Sequence, residues 1–144
     1  MAIKSLNPYL MFNGDAEKAL ELYRNALGAT VDERMGIMRF GDVPGAEGRP
    51  EDKQRVMHAT LRVGDNVVFM LSDSMPDTPV PKAGNVQVAL GFDDVADMTR
   101  KFDALAAGGK VTMPLHDAFW GDKFGMLTDA FGIDWMFTCP QKNG

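Results

Sequence analysis

The sequence has little of several features that mark common classes of protein. Its single cysteine, Cys139, excludes an internal disulfide and fits a reducing compartment. No apolar run approaches the roughly 20 residues of a membrane-spanning helix, and none near the N-terminus has signal-peptide length. Basic residues are outnumbered 15 to 20, and the net charge of −5 argues against nucleic acid or an anionic membrane as a partner. We therefore expect a cytoplasmic protein that binds neither.

Motifs for nucleotide cofactors and for nucleophilic catalysis are missing as well. The glycines between 41 and 48 are followed neither by Gly-Lys-Ser/Thr nor by a helical pattern, so no phosphate-binding loop is predicted. No Gly-x-Ser-x-Gly elbow is present. Cys139 has no base beside it in the sequence, which is typical of an inert thiol. The residues therefore identify no nucleophile and no nucleotide cofactor.

The sequence does contain an internal repeat. Residues 12–31 align with residues 92–111 without a gap, at an offset of 80, and five of the twenty pairs are identical. Both copies have the pattern of a strand end, an acidic cap, an amphipathic helix, a glycine stop and a strand start. Asn13 or Asp15 is the expected cap of the first helix, with Gly28 at its end, and Asp94 is the expected cap of the second.

Each copy of the repeat continues into a predicted β-hairpin. Residues 56–72 alternate around a turn at 64–66, and residues 125–139 around a turn at 129–132. The chain is therefore predicted to be an α+β protein with two tandem βαβββ modules. A single domain, 1–144, would contain module 1 at about 3–73, a linker at 74–84 and module 2 at about 85–139. The glycine-bearing segment 41–54 is either a surface loop or a lid over a site.

The alternation of side chains assigns two faces to these strands. One face is predicted to form the core beneath the helices, with Leu6, Leu10, Leu61, Val63, Val67, Phe69, Leu71, Val88, Leu90, Leu127, Trp135 and Phe137. The other face carries Asn7, Tyr9, Met11, His58, Thr60, Arg62, Val68, Met70, Ser72, Gln87, Ala89, Met126, Thr128, Asp134 and Met136. A mixture of methionines, hydroxyls and amides with few charges suits either a pocket for an apolar guest or a core against a partner chain.

Two residues have both a structural and a functional interpretation. His58 is either an acid–base group on the second face or a hydrogen-bonded structural residue. Trp120, in the segment Trp-Gly-Asp-Lys, either contacts a guest at the rim or plugs a tight turn. Under the functional interpretation, His58 is the candidate catalytic residue. The candidate ligand-binding residues are Asn7, Tyr9, Met11, Thr60, Arg62, Met70, Gln87, Trp120, Met126 and Met136.

Three segments carry a resemblance to a known family: PYLMFNGDAEKALELYRNALGA, MHATLRVGDNVVFMLSD and WGDKFGMLTDAFGIDWMF. They are similar to the PhnB-like branch, also labelled 3-demethylubiquinone methyltransferase-like, of the vicinal oxygen chelate superfamily. That superfamily includes glyoxalase I, extradiol dioxygenases and bleomycin-resistance proteins. The resemblance spans roughly residues 6–138. It implies a cupped mixed sheet with helices on the outer face, and a homodimer.

The same resemblance bears on metal binding. Metal-using members of the superfamily place one ligand on the first strand and one on the last strand of each module, usually His or Gln, Glu, His and Glu. The matching positions here are Asn7 or Pro8 and Gln87 on the first strands, and Val68 and Met136 on the last strands. A valine and a thioether are poor ligands for a hard divalent cation. We therefore predict no cofactor, and a divalent metal is the disfavoured alternative.

The expected function is that of a small-molecule-binding PhnB-like protein, in which any activity is metal-independent and uses His58 as the proton carrier. Two alternatives stay open. One is a metal-dependent lyase or dioxygenase with a shifted ligand set around His58. The other is a resistance protein that sequesters a toxic guest. Whether the ligand is turned over is not decided by the sequence, and no motif supports the methyltransferase label.

Overall fold

The computed structural model describes residues 2–34, 36–45, 48–65, 67–75, 77–81 and 84–141. The chain divides into two compact units, Met1–Val80 and Pro81–Gly144. The first unit contains β1 (Tyr9–Phe12), α1 (Ala16–Leu27), β2 (Thr30–Val31), β3 (Ile37–Arg39), β4 (Val56–Val63) and β5 (Val67–Asp73). The second unit contains β6 (Val88–Gly91), α2 (Val95–Leu105), β7 (Lys110–Asp117), β8 (Asp122–Thr128) and β9 (Asp134–Pro140). Both described α-helices, of 12 and 11 residues, are too short to cross a bilayer.

The two sheets repeat one topology. In the first unit the strand order is β1-β5-β4, and the short strands β2 and β3 both pair with the remaining edge of β4. In the second unit the order is β6-β9-β8-β7. In each sheet the first strand runs parallel to the last, and the hairpin pairs are antiparallel. The predicted α+β fold of two tandem βαβββ modules is therefore confirmed.

The core of each unit lies between its helix and one face of its sheet. In the first unit, Tyr23 of α1 contacts Phe69 of β5 edge to face, with ring centroids 5.8 Å apart. In the second unit, Phe102 of α2 contacts Phe137 of β9 in the same way, at 5.1 Å. Aromatic pairs of this kind add to the free energy gained by burying their apolar area. The helix of each unit therefore covers one sheet face and leaves the opposite face for other contacts.

The predicted core is wrong at two residues. Leu6 is 93% exposed, because β1 begins only at Tyr9 and the alternation does not extend back to that residue. Val67 is 55% exposed because it begins β5 beside the turn, away from the buried middle of the strand. The segment 41–54, predicted as a loop, overlaps two short 3-10 helices, Phe40–Asp42 and Pro50–Asp52.

The two helices begin in different ways. In α2 the predicted cap is confirmed, since Asp94 Oδ2 accepts the backbone N–H of Asp97 at 3.0 Å. In α1 one of the two predicted cap residues is at the cap position, but its side chain does not act as a cap. Asp15 occupies the cap position but makes no side-chain cap hydrogen bond, and the side chain of Asn13 bonds instead to the backbone of Val80.

The start of α1 is held by a carboxylate from the far end of the first unit. Asp73, the last residue of β5, is 2% exposed. Its Oδ1 accepts the backbone N–H groups of Gly14 and Ala16 at 2.8 and 2.9 Å, and its Oδ2 accepts that of Val56 at 2.9 Å. A buried carboxylate with three backbone donors satisfies groups that a helix start leaves unpaired. Asp73 thus joins α1, β4 and β5.

The motif Asp-x-Phe-Gly-x-x-Trp, at residues 129–135 within the third of the family-like segments, has a structural role. Asp129 Oδ1 accepts the backbone N–H groups of Phe131 and Ile133 at 2.8 and 3.1 Å. Asp129 Oδ2 accepts the indole N–H of Trp135 at 2.9 Å. The carboxylate closes the turn between β8 and β9, and the indole is buried in the core. The motif therefore fixes the last hairpin of the second unit.

Candidate functional site

The face of the first sheet that lies opposite α1 carries most of the predicted site residues. We call it the open face of the first unit, and it comprises Tyr9, Met11, His58, Thr60, Arg62, Val68 and Met70. Tyr9 is paired with Met70, and Met70 with Thr60, so these three residues form a row across β1, β5 and β4. The alternate residues Leu10, Leu61 and Leu71 are buried, which fixes the orientation of the row.

A chain of hydrogen bonds runs through His58 on this face. Its Nδ1 lies 2.9 Å from the phenol oxygen of Tyr9, and its Nε2 lies 2.9 Å from Thr60 Oγ1. The rings of Tyr9 and His58 meet edge to face with centroids 5.6 Å apart. A neutral imidazole has one N–H and one acceptor nitrogen, so one hydroxyl donates to the ring and the other accepts from it. The arrangement can hold a proton and pass it between two hydroxyl oxygens.

Strand geometry explains why these three side chains meet. His58 and Thr60 are two residues apart on β4, which places them on the same face. Tyr9 reaches them because β1 runs beside β5, the partner of β4. His58 is half-buried, whereas Tyr9 is 45% exposed. Tyr9 is therefore the more accessible end of the hydrogen-bonded chain.

Arg62 provides the positive charge of the open face. Its Nη2 lies 3.3 Å from Asp32 Oδ2, and its side chain is 39% exposed. The backbone N–H of Arg34, and then the guanidinium of Arg62, hold the pKa of Asp32 below its ordinary value. Asp32 is thus ionised at neutral pH. A guanidinium has five N–H donors, of which this ion pair engages one nitrogen, so Arg62 has donors for a further acceptor.

The positions that match the family's metal ligands carry two amides, a valine and a thioether. The amide nitrogen of Asn7 donates a hydrogen bond to the backbone carbonyl of Val68 at 3.1 Å. In the second unit, Gln87 is exposed and precedes β6, which corrects its predicted place within the strand, and Met136 lies on β9. An amide, a valine and a thioether do not fit a hard divalent cation. Within the described ranges, no three His, Cys, Asp or Glu side chains are placed to hold a metal ion.

The second unit also has a sheet face opposite its helix, and its side chains differ from those of the first unit's open face. We call it the open face of the second unit, and it comprises Met113, Asp122, Met126, Thr128, Asp134, Met136 and Thr138. Met126 is paired with both Met113 and Met136, so three methionines from β7, β8 and β9 stand in one row. Thr128 donates to Asp134 at 2.6 Å and Thr138 donates to Asp122 at 3.0 Å, which pairs these polar groups with one another. This face therefore presents a row of thioethers beside hydroxyl and carboxylate groups that are hydrogen-bonded to one another.

Trp120 lies in the turn between β7 and β8. It is 51% exposed and meets the ring of Phe124 edge to face, with centroids 5.3 Å apart. Phe119 beside it is 97% exposed. The aromatic turn therefore combines a structural contact to Phe124 with exposed ring surface, so both interpretations of Trp120 describe part of its surroundings.

A polar cavity lies at the start of α1, and residues of the segment 41–54 are among those that line it. It measures about 710 Å³, and Arg49, Asp52, Arg55 and Asp73 are among its lining residues. Asp52 is paired with the Nε atoms of Arg49 and Arg55 at 3.2 and 3.3 Å. None of the ten predicted ligand-binding residues lines this cavity. Its central charges are engaged with one another, and the hydrogen-bonded chain of His58 lies elsewhere in the unit.

Sequence reasoning placed Tyr9, His58 and Thr60 on one face but did not predict their direct hydrogen bonds. Tyr9 and His58 are separated by 49 residues, and no local pattern encodes a contact over that distance. It also missed Asp32 as the partner of Arg62. Strand alternation was the available signal, since it identifies a shared face but not which polar atoms meet on it.

Comparisons with known proteins cover almost the whole chain. The model of the Glyoxalase/Bleomycin resistance protein/Dioxygenase superfamily matches residues 5–137. Protein YjdN of Escherichia coli (strain K12) is 36% identical over 146 residues, which cover 95% of this chain and 96% of YjdN. The crystal structure of protein PA1353 from Pseudomonas aeruginosa has a TM-score of 0.82 and 40% identity, covering 96% of this chain and 100% of that one. A Bacillus cereus PhnB protein, whose description provisionally names it a 3-demethylubiquinone-9 3-methyltransferase, has a TM-score of 0.73 and 25% identity, with 94% and 99% covered.

Proposed function

Because the chain belongs to the Glyoxalase/Bleomycin resistance protein/Dioxygenase superfamily, we propose that it is a PhnB-like protein that binds a small organic molecule on the open face of its first unit. The observation that carries the proposal is the hydrogen-bonded chain of Tyr9, His58 and Thr60. Met11 and Met70 stand beside it on a partly exposed sheet face. Ligand sites combine apolar surface with a few placed polar groups, and methionine adapts to varied guests.

Any turnover on this face is metal-independent, with His58 as the proton carrier. Both ring nitrogens of His58 already have hydroxyl partners, so a metal bond would break one of these hydrogen bonds. This weighs against the alternative of a lyase or dioxygenase with a ligand set around His58. The chemistry that remains is proton transfer, which needs no group beyond the side chains present. Sequestration without turnover uses the same face and differs in leaving the ligand unchanged.

The open face of the second unit, taken by itself, is proposed as a separate apolar contact surface for a small molecule. Met126 and Met136 present a thioether surface on its open face, and Trp120 presents half of its surface to solvent. Polarisable thioethers and an indole ring suit an apolar or aromatic part of a ligand. Gln87, exposed before β6, would add an amide donor and acceptor.

Screening by thermal shift tests the binding proposal. At about 100 times its Kd, a ligand adds about 2.7 kcal/mol to the free energy of unfolding. For a chain of this size, each kcal/mol raises Tm by about 2–4 °C. We expect at least one member of a diverse small-molecule library to stabilise the protein to this extent, with the ligand recovered unchanged or converted.

Two variants of one strand then locate the ligand. Met70→Gln changes the open face and is expected to weaken binding about tenfold, the loss of roughly one apolar contact group. Val67→Gln makes a similar change on β5, at a residue that alternates with the open-face residues Val68 and Met70 and is already 55% exposed, so it should leave binding unchanged. The proposal fails if no compound stabilises the chain, or if the two variants weaken binding equally.

We also propose that the chain forms a homodimer. Phe119, 97% exposed, contacts the half-exposed Trp120 edge to face at 5.0 Å, and paired rings in a turn are a surface that a partner chain would cover. Light scattering on the full chain gives its mass in solution. A dimer that Phe119→Ser weakens supports the proposal, whereas a monomer at all concentrations overturns it.

A further inference from the structure

The hydrogen bonds of His58 make the direction of two hydroxyl groups depend on its protonation. Tyr9 and Thr60 each place an oxygen 2.9 Å from one ring nitrogen. In neutral imidazole one nitrogen is an acceptor, and the hydroxyl facing it must donate its proton to the ring. That hydroxyl has no proton left for a ligand. When His58 is neutral, at least one of the two hydroxyl groups therefore donates its proton to the ring and cannot donate to a ligand.

Protonation removes the acceptor. Imidazolium has two N–H groups, so the oxygens of Tyr9 and Thr60 must both accept from the ring, and both hydroxyl protons point away from it. The open face then gains a positive charge and presents two O–H donors to a guest. The phenol of Tyr9 is the better placed of the two, since Tyr9 is 45% exposed.

The side chains around His58 belong to two sets, one on each face of the sheet. On the open face, the neighbouring strands place uncharged side chains, and the charged pair is Arg62 of β4 with Asp32; the uncharged ones are Tyr9 from β1, Met70 and Ser72 from β5 and Met38 from β3. On the helix side, Arg39 of β3 bonds to Glu17 of α1, and Asp73 of β5 bonds to the backbone of α1. Arg62 is thus the cation of this face, and Asp32 neutralises it in part.

We propose that the open face of the first unit binds an organic anion, a carboxylate in the simplest case, and that protonation of His58 sets its affinity; this inference rests on the proposed function. Arg62 supplies N–H donors, the hydroxyls of Tyr9 and Thr60 both direct their protons away from protonated His58, and Met70 contacts the apolar part of the guest. Because the anion prefers protonated His58, its affinity is higher while His58 carries the proton and falls when rising pH removes it.

Carboxylates of graded size, each with its neutral amide, test the ligand class. Acetate, benzoate and indole-3-acetate remain ionised above about pH 5, so a pH effect on their binding comes from the protein. Calorimetry on the full chain at about pH 5.5 and pH 8, on either side of the histidine range, gives the two affinities. We expect at least one carboxylate to bind about fivefold or more tightly at the lower pH. Its amide should show no such dependence.

Variants assign the effect to His58. His58→Gln should abolish the pH dependence. Tyr9→Phe keeps the ring and the charge of His58 but loses the phenol O–H donor, so it should reduce the dependence, and it serves if the histidine variant folds poorly. His116→Gln is the matched control, because that exposed histidine bonds only to a backbone carbonyl of β7 among the contacts described for its side-chain nitrogens. Retained dependence in both site variants, or equal affinity at both pH values, overturns the inference. If no carboxylate binds but a library compound still does, the anion class is wrong and the proposed function stands.

Discussion

The side-chain amide of Asn7 donates a hydrogen bond to the backbone carbonyl of Val68, at 3.1 Å. These two residues match the positions at which the family resemblance places metal ligands in the first module. Here the amide ties the segment before β1 to the start of β5. The contact continues the pairing of the two strands, since Met70 N–H also bonds to the carbonyl of Pro8 at 3.0 Å. A position used elsewhere for an ion is used here to join strands.

We predict that the chain does not need a divalent metal for its stability. Treatment with EDTA, followed by its removal, should leave Tm unchanged, because a structural ion that binds the native state would add to the free energy of unfolding. Elemental analysis of the native protein provides the control and should find metal well below one ion per chain. Stoichiometric metal together with a lower Tm after chelation would contradict this prediction.

Asp73 is predicted to be the most important carboxylate for the stability of the first unit. Asp73→Ala leaves three backbone N–H groups without their acceptor and should cost about 3 kcal/mol or more in free energy of unfolding. Asp15→Ala is the matched control at the nominal cap of the same helix and should cost less than about 1 kcal/mol, the value of its charge near the helix start. Urea unfolding of both variants measures the difference.

Asp94→Ala should fall between them. It removes one local cap hydrogen bond from α2 and should cost about 1 kcal/mol. Equal losses for the variants at 15 and 73 would mean that the remote carboxylate does not cap α1. If Asp73→Ala is insoluble, Asp73→Asn keeps one acceptor oxygen and should give a smaller loss that can still be measured.

The ion pair of Arg39 with Glu17 is predicted to weaken in acid. Both guanidinium Nη atoms reach the carboxylate, at 2.8 and 2.9 Å, and the hydrogen bond to Arg39 holds the pKa of Glu17 below the ordinary 4.5. A folded-state pKa that is lowered stabilises the protein above the unfolded value, and this stabilisation is lost as the pH falls through the folded value. It should stay below about 1 kcal/mol, since Glu17 is half exposed.

Glu17→Gln measures this contribution. The variant should be less stable than the parent chain at neutral pH, and the difference should shrink as the pH falls below 4.5. Glu33→Gln, at an exposed carboxylate after β2, controls for the loss of one negative charge. A stability difference for Glu17→Gln that is the same at neutral and acidic pH would show that the charge of Glu17 plays no part.

Cys139 is predicted to be unreactive in the native protein. It is buried on β9, and burial, with the negative charges of Asp93, Asp94 and Asp122, raises the pKa of its thiol. Less thiolate and no access both slow attack on a disulfide reagent. Ellman's reagent at mildly alkaline pH should react with this thiol slowly in buffer and rapidly in denaturant. Rapid reaction without denaturant would contradict the burial of the Cys139 side chain.

The fold could be predicted from the sequence because its signals are local. Alternating residues in 56–72 and a glycine turn specify the β4–β5 hairpin. The cap of α2 is local as well, since Asp94 accepts the backbone N–H of Asp97 only three residues away. The cap of α1 could not be predicted in this way. Asp73 is 57 residues from Ala16, and a local candidate, Asp15, occupied the expected position. A tertiary contact replaced the local one.

The same distinction between local signals and tertiary contacts applies to the candidate site. Period-two alternation was sufficient to put Tyr9 and His58 on one face. It failed for Leu6 because alternation has meaning only where a strand exists, and β1 starts at Tyr9. The pairing of Arg62 with Asp32 depends on how β2 and the following turn lie against β4, which the spacing of residues does not encode.

The different caps of the two helices have a consequence for how the two modules fold. α2 carries its own cap, so a short fragment beginning at Asp94 contains what its first turn requires. α1 acquires its cap only when Asp73, at the end of β5, packs against the start of the helix, which requires the β4–β5 hairpin to have formed. We expect the duplicated modules to differ in autonomy: one helix can begin by itself, whereas the other waits for a residue almost a whole module downstream.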